Sequence, residues 1–469
     1  MSRFAPLNNI PSLLILSVCY CLVIPVVGPR AITATSSAPV RQDSAQTPPK
    51  SDPSSNEQFK FGTVDLDLLE QVNLLDRRFE REGLVLEDEA ISGYLNRVAK
   101  SLLPADLNLE HVLWKFRVLR DPVPNAFALP NGSIYVSTGL LALMDNESQL
   151  ASVLAHELTH VIRRHTYFQN RSNRKKFLTI NIISAVGAYA PGGVAGAVIT
   201  IATAVAPFIV MATMYGYSRD LEREADLKGI DMMLAAEYSP EEMVKVMQLL
   251  NRDIEGENIR LFYNDHPALN ERIKYLSSYL GARADKVTAQ MELNREKAAY
   301  FQKMEPAMRH DIQLSINSGR FRSAVFLADR LVAFHPDSEN LFWLGEAYRT
   351  LGPRTQQLTE NQLTNSAKKD AAKKREKRTI EEEERALLAT PAGQENLKLH
   401  QQKAAELYLR ATTRENPVAV AHRGLGMLYE KLGRPNEAIT EYENYVELAP
   451  SAIDRERIQK HIEVLRRSP

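Results

Sequence analysis

Val153-Leu154-Ala155-His156-Glu157-Leu158-Thr159-His160-Val161-Ile162-Arg163-Arg164-His165 is the stretch on which the fold turns. Inside it lies H-E-x-x-H, His156 to His160. Residues four apart stack on one face of an α-helix, so His156 and His160 can offer two imidazoles to one metal ion. Glu157 follows the first of them, where a carboxylate can act as general base on a water at the ion. Two neutral nitrogen ligands suit zinc. Leu150, Val153, Leu154, Leu158, Val161 and Ile162 make the helix apolar, and Asn146 with Gln149 three residues on predicts its start near Glu147. Two histidines and a glutamate on such a helix are costly to bury without a partner, and a metal supplies one.

A site with two histidines needs a third protein ligand and leaves one position for water. Ser218-Arg219-Asp220-Leu221-Glu222-Arg223-Glu224-Ala225-Asp226 offers it. Glu222 and Asp226 are four apart and share a helix face, whereas Glu224 turns away from Glu222. Glu222 is therefore the expected ligand. Asp226 is placed to hydrogen-bond a ligand histidine or to transfer a proton. Arg219, one turn before Glu222, is expected to fix that carboxylate or to pair with Asp226. His165 reads as a surface or packing histidine.

H-E-x-x-H followed about 60 residues later by S-R-x-x-E-x-x-A-D resembles the CAAX-prenyl-protease-related zinc endopeptidases, a group with HtpX-like and BepA-like bacterial members. Asn125 to Gly132 and His266-Pro267 with Arg272 also resemble that family. The likeness covers roughly residues 64 to 279. It implies His156, His160 and Glu222 as ligands of one zinc per chain, Glu157 as catalytic base and Asp226 as a supporting acid. His266 precedes a helix; it is read as a fourth ligand, as an oxyanion stabiliser, or as an ordinary capping turn.

Elsewhere the chain is less specific. Of the 469 residues, 58 are Lys or Arg and 58 are Asp or Glu, a balance that argues against nucleic-acid binding. Cys19 and Cys21 are the only cysteines, so a cysteine-ligated zinc site and a disulfide framework are excluded beyond the N-terminal run. Arg3 followed by the apolar Ile10 to Val27 reads as a signal peptide within residues 1–30, with an uncleaved anchor as the competing reading. Residues 31–60, rich in Ser, Thr, Pro and Ala, read as a disordered linker. Stripes Leu68, Leu69, Val72, Leu75, Phe79 and Ile91, Tyr94, Leu95, Val98 predict two helices. Val112 to Leu119 and the segments around Pro130-Asn131-Gly132 predict a small sheet. Asn125, Ala126 and Phe127 are read as a substrate-pairing edge strand or as an ordinary hairpin. Phe177 to Ser218 holds no charge and follows four positive charges at 171–176. It is read as buried helices or as peripheral membrane contact through 177–214, ahead of a true span.

From about Tyr300 the pattern becomes helical hairpins with tetratricopeptide spacing. Leu425-Gly426, Tyr429, Ala438, Tyr442, Tyr445 and Pro450 carry one unit. Leu344-Gly345 and Tyr348 begin another, whose second helix is expected only at Ala404, Tyr408 and Ala411. Residues 353–398 between them read as an inserted mobile loop or solvated helix. The expectation is an α+β, mostly α chain: a gluzincin-type metallopeptidase domain with a small sheet over 61–299, then an all-α tetratricopeptide array over 300–469. The expected activity is zinc-dependent cleavage of protein substrates, unfolded or misassembled, with a protein partner on the array. The expected place is the periplasm of a bacterium, in envelope protein quality control. The alternative is a chaperone or assembly scaffold with latent protease activity.

Overall fold

The computed structural model of the chain describes residues 59–105, 107–172, 217–251, 269–281, 290–356, 379–414 and 416–467. The expected signal peptide, the uncharged run 177–214 and His266 lie outside these residues, as does almost all of the expected linker.

Helices α1 (Thr63–Arg81) and α2 (Glu89–Leu102) carry the two predicted stripes. Leu68, Val72 and Phe79 are buried from the first, and Ile91, Tyr94, Leu95 and Val98 from the second. Asp88 caps α2 by accepting from Ile91 N at 2.9 Å, satisfying a helix-end donor that has no intrahelical partner. The sheet has three strands, β1 (Lys115–Leu119), β2 (Ala126–Ala128) and β3 (Ser133–Ser137), in the order β1-β3-β2. β1 is parallel to β3 and β2 antiparallel to it, with Phe127 opposite Tyr135. Gly132 makes the β2–β3 turn at φ 95, a left-handed conformation that suits glycine. Among the described residues β2 lies at one edge of the sheet, and it packs on the H-E-x-x-H helix.

Helix α3 (Thr138–Leu143) leads into α4 (Glu147–Ile162), the H-E-x-x-H helix. Asn146 caps α4 by accepting from Gln149 N at 2.8 Å. Gln149 reaches back one residue further than a capping box requires, to Asp145 N at 2.7 Å. Arg164, at φ 55, reverses the chain into α5 (His165–Ser172). Helices α6 (Arg219–Ala235), α7 (Glu241–Leu250) and α8 (Leu269–Gly281) complete this part. α4 packs on α6 and α7, and α7 on α8.

The remaining helices stack in chain order. They are α9 (Gln290–Asn317), α10 (Phe321–Phe334), α11 (Ser338–Leu351), α12 (Ile380–Leu388), α13 (Pro391–Thr412), α14 (Ala419–Lys431), α15 (Pro435–Leu448) and α16 (Arg455–Arg467). α9 packs on α10, α10 on α11, α11 on α13, and so on to α16. The expected second helix of the interrupted unit begins at Pro391, well before Ala404. Thr390 caps it by accepting from Gly393 N at 3.1 Å, and His400 is buried within it. Among the described residues of 353–398, α12, which buries none of its residues, behaves as the solvated helix expected there.

The break expected at 299/300 falls inside α9, which packs on α2, α3 and α4. One buried apolar cluster runs from Ile91 to Ile462. Tyr300 donates to Leu141 O at 2.8 Å, and Arg330 donates to Met144 O at 3.0 Å and meets Asp145 at 2.9 Å. The stack is therefore built onto the sheet-bearing part. Among the described residues no helix is long and apolar enough to cross a membrane.

Candidate metal centre

Two helices make the centre. α4 supplies His156 and His160, one turn apart, and α6 brings Glu222 and Asp226 across from them. The Nε2 atoms of the two histidines lie 3.1 Å apart. Glu222 places one carboxylate oxygen 3.6 Å from His156 Nε2 and the other 3.6 Å from His160 Nε2. All three side chains are buried, and their donor atoms lie within 4.8 Å of one another. Nitrogens that close can both sit ~2.0–2.1 Å from one ion, and two imidazoles with a carboxylate are a zinc donor set with an open fourth position. The residues fit zinc. Glu157 is buried beside His156.

α6 lies against α4 because Gly229 leaves room. A Cβ there would stand 3.3 Å from His156 N and 3.2 Å from the Met243 Cε. Small residues at a helix contact let two backbones approach, and here the approach brings Glu222 within reach of the histidines.

Asp226 accepts from His156, with Oδ1 3.0 Å from Nδ1. Of the two expected placements for Asp226, the hydrogen bond to a ligand histidine is the geometry observed. Its carboxylate is fully buried, yet Arg272 of α8 donates to both its oxygens, at 2.6 and 2.9 Å, and Tyr275 donates to it as well. Burial raises the Asp226 pKa, but the Arg272 charge and the His156 hydrogen bond outweigh it and hold the carboxyl well below the ordinary range. Arg272 also meets Glu222 at 2.9 Å, so one guanidinium bridges both acids. Burial works against its charge, and the two carboxylates more than restore it. The Tyr275 hydroxyl is pushed up by its burial and by Asp226.

The role expected of Arg219 belongs to Arg272. Arg219 stands on the exposed face of α6, 73% accessible, and meets Glu271 at 3.3 Å. It lies three residues before Glu222 on a helix whose inner face is already filled by α4. Arg272 comes from 50 residues beyond Glu222 in the chain, so helix periodicity around Glu222 cannot reveal it. The signal available was its place five residues after Pro267, in the His266-Pro267 segment that carries part of the family resemblance. Tyr217 is a second residue the sequence did not mark: its ring stacks on His160 with centroids 3.8 Å apart.

A model of peptidase family M48 matches residues 89–280. Among curated relatives, the chain is similar to mitochondrial metalloendopeptidase OMA1 of Schizosaccharomyces pombe, 28% identical over 190 residues, which are 40% of this chain and 52% of that one. It is 30% identical to the OMA1 of Saccharomyces cerevisiae over 184 residues, 37% of this chain and 48% of that one. It is 25% identical to the beta-barrel assembly-enhancing protease of Escherichia coli (strain K12) over 226 residues, 47% of this chain and 44% of that one. The chain spans about half the length of the curated relatives it matches.

Proposed function

We propose, from the match of residues 89–280 to peptidase family M48, that the chain is a zinc-dependent endopeptidase acting on protein substrates. The observation that carries this is the convergence of His156 Nε2, His160 Nε2 and Glu222 on one point, with Glu157 beside the first ligand. His156, His160 and Glu222 would hold the ion. Zinc bound there supplies Lewis acidity toward water and a peptide carbonyl. Glu157 takes the proton of the attacking water and returns it to the leaving amine. Asp226 fixes the His156 ring through Nδ1, and Arg272 balances the charge of Glu222 and Asp226. We read β2 as the strand that pairs with an extended substrate through its backbone; its position at the sheet edge beside α4 supports this.

The stack α9 to α16 we read as a tetratricopeptide array holding a protein partner or an unfolded substrate near the site. Its sequential helix packing supports this, as do large rings set against glycines: Tyr408 lies against Gly345 and Gly424, and Tyr442 against Gly426. Similarity to a beta-barrel assembly-enhancing protease favours envelope protein quality control, and the apolar run after Arg3 favours export. A scaffold whose cleavage is latent is the second reading, favoured by the continuous core that joins stack and peptidase.

Zinc content and casein cleavage, measured on the chain and on Glu157→Gln, test the proposal. One zinc per chain in both, with cleavage falling at least ~10²-fold in the variant, is expected. A chain without zinc would sink the reading. Cellular complementation by Glu157→Gln would favour the scaffold.

A further inference from the structure

We propose that His165 and Glu224 set the tautomer of His160 and hold its ring for metal binding, both acting as positioning residues. The inference rests on reading His156, His160 and Glu222 as the zinc site. The two nitrogens of His160 face opposite ways. Nε2 points to the ligand cluster, 3.1 Å from His156 Nε2. Nδ1 lies 2.9 Å from His165 Nδ1. Two neutral imidazole nitrogens at that distance must be one N–H and one lone pair. The pair alone does not say which is which.

The other nitrogen of His165 decides. His165 Nε2 lies 3.3 Å from Glu224 Oε2. An ionised carboxylate only accepts, so His165 carries its hydrogen on Nε2 and its Nδ1 is bare. Nδ1 of His165 therefore accepts from Nδ1–H of His160, and His160 is left with its lone pair on Nε2, facing the ligand cluster. Arg163 closes the chain by donating to Glu224 Oε1 at 2.5 Å. The ring cannot swing away easily: Tyr217 stacks on it, and the Tyr217 hydroxyl meets Thr166 Oγ1 at 2.8 Å.

The chain path explains why this pairing was not legible as periodicity. Five residues apart, His160 and His165 lie on different faces of a continuous helix. α4 ends at Ile162, and left-handed Arg164 folds His165 back beneath His160. Glu224 turns away from Glu222 as its position on α6 dictates, and the face it reaches is that of His165. The two ligand histidines are thus oriented differently, His156 directly by a carboxylate and His160 by a carboxylate acting through an imidazole.

The test is the zinc dissociation constant of the full chain, read by competition with a chelating dye. His165→Leu is expected to weaken binding ~10–100-fold. His165→Asn, whose amide oxygen falls near the position of Nδ1 and can still accept, is expected to regain most of that loss. Glu224→Ala is expected to weaken binding less than His165→Leu, and to add nothing in the double variant because it acts through His165. Thermal unfolding of the metal-free chains shows which variants fold; if His165→Leu does not, His165→Asn and Glu224→Ala carry the comparison, and Glu224→Ala binding zinc as the parent does would overturn the inference. Parent-like affinity in a folded His165→Leu, or additive losses in the double variant, would also overturn it while leaving the zinc site standing. A parent that binds no zinc, or binds it equally well after His156→Ala, would remove the site reading and this inference with it.

Discussion

The charge arrangement around Arg272 governs what single substitutions do at the centre. Its guanidinium is the buried cation that Glu222 and Asp226 share, and taking it away leaves two buried carboxylates facing one another. Arg272→Met is expected to cost on the order of 3 kcal/mol in the metal-free chain, the penalty of breaking a buried ion pair from one side. Zinc supplies positive charge at the same carboxylate, so the loss should shrink when metal is bound. Melting temperatures with and without zinc check this; an equal drop in both would show that charge balance is not what Arg272 provides. At this scale the ligands were legible, because H-E-x-x-H and E-x-x-x-D report helix faces directly. Arg272, His165 and Tyr217 were not assigned to the centre, because each reaches it from another element or around a chain reversal.

The contact between α4 and α6 is the element-scale condition for the centre. Gly229 sits where α6 crosses α4 at His156, and α7 closes the third side with Met243. Gly229→Val must push α6 away from His156. The expected result is a loss of ~1–3 kcal/mol of stability and weaker zinc binding, since Glu222 rides on α6. Zinc affinity is the deciding measurement: a destabilised chain with parent-like affinity would mean that the α4–α6 spacing does not set the ligand geometry. The same reasoning applies in the stack, where Tyr408 fills the space between Gly345 and Gly424. The start of α4 was readable from its cap, Asn146, which accepts from Gln149 N; Asp88 and Ser218 accept from an early backbone N–H in the same way, and the structure is what reveals them. The start of α13 was placed too late, because the charged segment before Ala404 masked the cap at Thr390.

At the scale of the molecule, the junction between the sheet-bearing part and the stack buries two acids. Asp311 of α9 is fully buried; burial pushes its carboxyl up to about 7, the nearby Asp121 carboxylate adds to this, and Thr138, Arg320 and Ser315 oppose it. Asp121 is likewise pushed up by burial, to about 6. A raised pKa means that the folded chain binds the proton more tightly than the unfolded one, where an aspartate titrates near 3.8. Stability should therefore fall as pH rises from about 4 to about 7 and lose no more above that. Asp311→Asn removes the charge, and at pH 8 it is expected to be more stable than the parent by ~2 kcal/mol, with little difference at pH 4. Urea unfolding at the two pH values tests this; a variant as pH-dependent as the parent would place the effect elsewhere.

The sequence by itself determined the H-E-x-x-H helix, the Glu222 to Asp226 face, the small sheet and the run of helices after Tyr300. Each of these is written as a local period, and a period of 3.6 or 2 fixes which residues share a face before any partner is known. Tertiary structure alone decided that α9 joins the stack to the core of the sheet-bearing part, that Arg272 and not Arg219 neutralises the acids, and that His165 backs His160. These depend on which faces meet across long stretches of chain. Burial of apolar surface, which is not directional, selects those meetings, and the polar partners are then fixed by what each meeting brings within hydrogen-bond reach.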